Sequence, residues 1–117
     1  MSPRIELLYW DGCPSHPDAL AALRSVLDGL GCGDVDVVLR RIETEDEAAA
    51  AAFVGSPTIR VDGVDPFPPP ADEPTGLTCR IYRRRDGRVS PTPDPELLRE
   101  ALHRTLAEAT DDVPSRR

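Results

Sequence analysis

Trp10-Asp11-Gly12-Cys13-Pro14-Ser15-His16 joins the two most strongly patterned segments of the chain. Before it, Ile5-Glu6-Leu7-Leu8-Tyr9-Trp10 is short, apolar and aromatic-ended, and reads as a buried strand closed by the Asp11-Gly12 turn signal. After it, Leu20, Leu23, Val26, Leu27 and Leu30 recur at three- and four-residue steps from Asp18 onward. They form one apolar helical face that stops at Gly29 to Gly33. Cys13 therefore stands where a strand hands over to a helix.

Further along, Val35, Val37 and Leu39 alternate with Asp36 and Val38, and β-branched residues at that spacing favour a second strand. Thr44-Glu45-Asp46-Glu47 has the form of a capping box ahead of a short helix from Ala48 to Phe53, ending at Gly55. Thr58-Ile59-Arg60-Val61 reads as a third strand and Thr78 to Arg84 as a fourth, with Ile81 and Tyr82 in its middle. The last helix begins at Asp94 with Pro95 in its first position and buries Leu97, Leu98, Leu102 and Leu106. The order is βαβαββα, which predicts an α/β domain with a mixed four-stranded sheet flanked by helices. Residues 62–77, rich in proline, form an inserted extended loop, and residues 110–117 lack periodicity and read as a flexible tail behind a single domain over 1–109.

Length and charge narrow the function classes. A chain of 117 residues fits one domain able to bury a core without disulfides or metals. No apolar run approaches the ~20 residues that a membrane span needs. Met1 to Arg4 carry no basic segment leading into an apolar stretch, which points to a cytoplasmic protein. Three cysteines, Cys13, Cys32 and Cys79, suit reduced thiols or one reactive site better than a secreted disulfide framework. A net charge of -7 repels polyanions and argues against nucleic acid as a partner. Arg83, Arg84, Arg85 and Arg88 around Asp86-Gly87 read as a solvated hairpin end.

The chemistry concentrates at Cys13. Free N–H groups and the positive end of a helix dipole favour an anion, so a cysteine at a helix start is held toward thiolate. His16, three residues on, could add an imidazolium to the same effect, although Pro17 disfavours helical backbone at His16 and the helix could begin only at Pro17. The plain alternatives are a small buried cysteine in a turn and an exposed turn histidine. Gly55-Ser56-Pro57-Thr58 sets a proline at the entry of a strand, either in a cis turn or as a trans residue opening an edge strand. No pair of Cys or His has zinc-finger spacing, so neither a metal nor another cofactor is expected.

Taken together, the element order, the cysteine at the start of helix one after an aromatic strand end, and Ser56-Pro57-Thr58 before strand three resemble the thioredoxin superfamily. That resemblance covers about Arg4 to Ala109 and implies a cis Pro57 facing a nucleophilic Cys13, with Trp10, Ser56, Pro57 and Thr58 lining the substrate site. Val61-Asp62-Gly63, Asp65-Pro66-Phe67 and Gly76-Leu77-Thr78-Cys79-Arg80-Ile81-Tyr82 are similar to a group of small bacterial thioredoxin-like proteins, some labelled alkylmercury-lyase-like. The departure from Cys-x-x-Cys is His16, which stands where the resolving thiol would be.

A mixed disulfide at Cys13 must then be resolved by an external thiol or by another cysteine of the chain. Cys79 is the candidate if its Cα comes within about 7 Å of that of Cys13; otherwise it is a core cysteine. Cys32, about 20 Å away by helical rise, is too distant. Three functions follow. The first is thiol–disulfide exchange through Cys13 with a disulfide protein or small thiol as partner. The second is a thioredoxin-fold binding module without turnover. The third is handling of mercury or organomercurials by Cys13 and Cys79, with Asp11 as a proton donor.

Overall fold

The alternation of Ile5 and Leu7 against Leu8 gives the first strand two apolar faces, and the domain is built on both. In this computed structural model residues 4–111 are described, with side chains to residue 106. β1 (Ile5–Tyr9) lies at the centre of a three-stranded mixed sheet, parallel to β2 (Val37–Arg41) and antiparallel to β3 (Thr58–Val61). α1 (His16–Gly29) makes the crossover that a parallel β1–β2 pair requires. With α3 (Pro95–Asp111) it covers one face, where Ile5, Leu7, Leu23, Leu27, Ile59, Leu98 and Leu102 pack. On the other face Leu8, Ile42, Ala48 and Phe53 pack under the short α2 (Glu45–Ala50).

The helix ends follow local chemistry. Thr44 caps α2, its hydroxyl accepting from the Glu47 N–H (3.0 Å) while the Glu47 carboxylate accepts from the Glu43 N–H (2.6 Å). α2 stops at Ala50, short of the expected Phe53, because Ala52 takes a positive φ of 53° and the Phe53 N–H turns back to the Ala48 carbonyl (2.8 Å). α1 begins at His16 with Pro17 in its first turn, where a missing N–H costs nothing. At α3, Asp94 accepts from the Glu96 N–H (2.9 Å) and the Arg85 N–H (2.9 Å). Leu97 is only half-buried, unlike the Leu98 and Leu102 it was grouped with.

Three sequence expectations are corrected. β2 starts at Val37, because the Val35 N–H bonds the Cys32 carbonyl (3.1 Å) and keeps that residue in the preceding turn. Among the described residues the sheet has three strands and not four. In the expected fourth strand, Thr78 to Arg80 is taken by Ser56: the Ser56 N–H donates to the Thr78 carbonyl and the Arg80 N–H to the Ser56 carbonyl, both at 2.8 Å. Only Tyr82–Arg83 continues as a strand, β4, and it pairs with β5 (Val89–Ser90) in a separate hairpin turned at Gly87. α3 runs to Asp111, two residues into the segment read as a tail; residues 112–117 lie outside the described residues.

Leu23 is fully buried between α1, the sheet and α3. Leu23→Ala removes most of that side chain from a packed core and is expected to cost about 2–5 kcal/mol of unfolding free energy, read from urea melts at fixed pH.

Candidate functional site

The β1–α1 turn closes on itself through the Cys13 N–H, which donates to the Trp10 carbonyl (3.0 Å). Trp10 packs beside the Leu8–Phe53 cluster and its ring also lies over Gly12, where an added Cβ would come within 2.3 Å of the indole. The Cys13 side chain, 0% exposed, points inward toward β3, and its thiol donates to the Ser56 carbonyl (3.4 Å). The Ser56–Pro57 peptide is cis. Thr58 is buried, its hydroxyl donating to the Gly55 carbonyl (2.6 Å) and accepting from Arg80 (3.2 Å).

Cys79 is brought to the same place by the two backbone bonds that hold its neighbours against Ser56, close enough to Cys13 for the two thiols to shift one another's acidity. The two thiols differ in access: Cys13 is buried and Cys79 is exposed. They also differ in acidity. Burial pushes the Cys13 thiol up, but the neighbouring Cys79 thiol, the Ser15 N–H and hydroxyl and the Ser56 hydroxyl, all of which favour the charged form, outweigh it, so the balance lies below the ordinary thiol value. Cys79 is raised, first by the neighbouring Cys13 and then by burial. Over the range between them the pair carries one proton and one negative charge.

Ser15 and Ser56 act for different reasons. Ser15 stands at the N-cap position of α1 without a side-chain cap bond, and its N–H is one of the donors left over at the helix start. The Ser56 hydroxyl is fully buried and makes no hydrogen bond of ordinary geometry, yet it stands close enough to the sulfur to favour the charged form. A buried hydroxyl without a partner is costly, and a thiolate at Cys13 supplies an acceptor.

His16 is turned away from this cluster. Its ring stacks on Tyr9 with centroids 4.2 Å apart and planes 20° from parallel, and Nδ1 lies 3.5 Å from the Cys13 carbonyl oxygen. Asp11 is exposed and ion-paired to Arg41 at 3.1 Å. Cys32 sits beyond the far end of α1, partly buried against the core. The site thus unites Cys13, Cys79, Ser56, Pro57 and Thr58, with Trp10 packed at its edge, and leaves His16 on the flank.

Arg80 is the residue that sequence reading passed over. Its guanidinium bonds Asp65 (2.7 Å), Thr58 and the Phe67 carbonyl, and lies 4.7 Å from the Tyr82 ring centroid. Tyr82 in turn donates to the Pro57 carbonyl (2.5 Å) and meets Phe67 edge-on. A lone arginine inside Cys79-Arg80-Ile81-Tyr82, with one acid in Asp65-Pro66-Phe67, was the available signal for a buried pair. The Pro-rich loop pinned this way forms one side of a groove of about 900 Å³ whose lining includes Phe67, Pro70, Leu77, Cys79 and Ile81. Cys79 is the thiol that meets this groove.

The chain matches no family model, no curated protein and no solved structure. Among the described residues no helix is long and apolar enough to cross a membrane.

The acidities set a sign for pH. Cys13, lowered in the folded chain, contributes stability that is complete above the ordinary thiol range and lost as pH falls through its folded value; raised Cys79 contributes below that range and loses it as pH rises. Cys79→Ala removes the neighbouring thiol, so the Cys13 thiolate is expected to form at higher pH than in the parent. Ultraviolet titration of the thiolate in a Cys32→Ser background measures the midpoint.

Proposed function

We propose that the chain is a thiol–disulfide exchange protein on a thioredoxin-like fold, with Cys13 and Cys79 as its dithiol. The observation that carries this reading is the pair of backbone bonds at Ser56 that fasten Thr78 and Arg80 and so bring the exposed Cys79 to the residue whose carbonyl accepts from the buried Cys13 thiol, beside the cis Ser56–Pro57 peptide. The thioredoxin-like reading is supported by the β1–α1–β2 parallel crossover, antiparallel β3 and the cis proline that precedes β3. It departs from the expected fold in having three strands on the sheet among the described residues rather than four.

Access divides the labour between the sulfurs. The shared proton passes from Cys79 to the neighbouring Cys13, which leaves the thiolate on the exposed sulfur. Cys79 then attacks one sulfur of an external disulfide. A Cys79–S bond forms, the external S–S bond breaks, and the departing thiolate takes the proton held by Cys13. The Cys13 thiolate then attacks the Cys79 sulfur, and the second external sulfur leaves as a thiolate that takes a proton from water. The substrate disulfide is reduced to two thiols and Cys13–Cys79 is oxidised to a disulfide, which a further thiol reductant returns to the dithiol. His16 serves the backbone of the turn through the Cys13 carbonyl and its stack on Tyr9. The partner is a protein disulfide or a small disulfide, and a working dithiol suits a reducing compartment such as the cytoplasm.

A second reading, a two-coordinate soft cation such as mercury held by both thiolates, draws on the same sulfur pair. Proton delivery by Asp11 has no geometric support, given its exposed pairing with Arg41.

Reduced Cys32→Ser protein treated with oxidised glutathione, quenched in acid and mapped by mass spectrometry tests the exchange. The expected products are a Cys13–Cys79 disulfide in the otherwise native protein and a stable glutathione adduct on Cys79 when Cys13→Ser is added. Independent adducts on both cysteines with no bridge would overturn the reading. Stoichiometric mercury capture without any disulfide would favour the second.

A further inference from the structure

Among the described residues β2 is the edge of the sheet, paired to β1 on one side only. The Ile42 N–H reaches the Tyr9 carbonyl (2.8 Å), and alternate residues of a parallel strand face their neighbour. Residues 38 and 40 therefore direct their N–H and C=O groups to β1, whereas 37, 39 and 41 direct theirs outward. Natural edges are usually guarded by charge, proline or a bulge. This one carries Arg40 and Arg41 at its end, but ahead of them it exposes Val38 at 40% and Leu39 at 49% beside the buried Val37.

The edge is also its own complement. Laid antiparallel on a second copy of Asp36-Val37-Val38-Leu39-Arg40, it sets Asp36 opposite Arg40, Val37 opposite Leu39 and Val38 opposite Val38. That register places the outward-facing residues 37 and 39 in hydrogen-bonded pairs, where each pair exchanges two backbone bonds. Sliding by two residues one way needs Asp34 as the partner of Arg40, but Val35 is held in the turn by Cys32. Sliding the other way puts Arg40 against Val38 and Asp36 against Ile42. Among the described residues neither Asp36 nor Arg40 has an ion pair within the chain, whereas neighbouring Arg41 is held by Asp11 and Glu43.

We infer that the free edge of β2 pairs antiparallel with the same edge of a second copy of this chain, forming a two-fold dimer with one continuous sheet. The interface is isologous, so each Asp36–Arg40 contact occurs twice. It is independent of the thiol site, whose residues lie ahead of α1, at the entry to β3 and in the Thr78–Arg80 segment.

The test uses charge reversal on the full chain, with mass read by light scattering over a concentration series and folding checked by circular dichroism. The parent is expected to reach twice the monomer mass. Asp36→Arg and Arg40→Asp each set like charges opposite one another and are expected to be monomeric at concentrations where the parent is dimeric. Mixed in equal amounts, the two variants regain complementary pairs and are expected to return to the dimer mass. A parent that stays monomeric, single variants that dimerise like the parent, or a mixture that remains monomeric would each overturn the inference.

Discussion

Two backbone hydrogen bonds at Ser56 hold the candidate site together. They fasten Thr78 and Arg80 to the residue that precedes the cis proline, and the residue between them, Cys79, is thereby set over Cys13. Close approach of the two segments depends on Gly55, whose φ of 147° suits glycine and where a Cβ would meet Arg80 backbone and Cβ atoms at about 3.0 Å. Without this contact the two thiols would belong to unrelated parts of the chain.

The same contact explains how a proline-rich loop acquires a fixed shape. Arg80, anchored through its N–H to Ser56, sends its guanidinium to Asp65 and to the Phe67 carbonyl. Both members of the Arg80–Asp65 pair are nearly buried, so removing either alone would strand a charge. Tyr82 adds a bond back to Pro57, and burial pushes its phenol well above the usual range, so it stays neutral and donates. Loop, groove and thiol pair are therefore one connected unit.

Much of the fold was legible because its signals are local. β1, α1, the Thr44 cap and β3 stand where periodicity and capping chemistry put them, within a few residues. What was not legible depended on partners distant in sequence. Thr78 to Arg80 has strand composition, but composition does not say that Ser56 rather than β3 takes its hydrogen bonds. Cys13 at a helix start was readable as a favoured thiolate; that it would be wholly covered, with Cys79 as the exposed member, was not. His16 is placed by its stack on Tyr9, an interaction that spacing from Cys13 does not encode. Arg80 was hidden because one arginine in an apolar stretch looks like an outward-facing strand residue until Asp65 is found beside it.

An exposed thiol set beside a buried one should behave with it as a single redox couple, and equilibrating the Cys32→Ser protein across a graded thiol–disulfide buffer measures that directly. The expected result is one two-electron transition joining Cys13 to Cys79, absent when either residue is replaced by serine. Two separate one-thiol adduct curves, each surviving loss of the other cysteine, would contradict it.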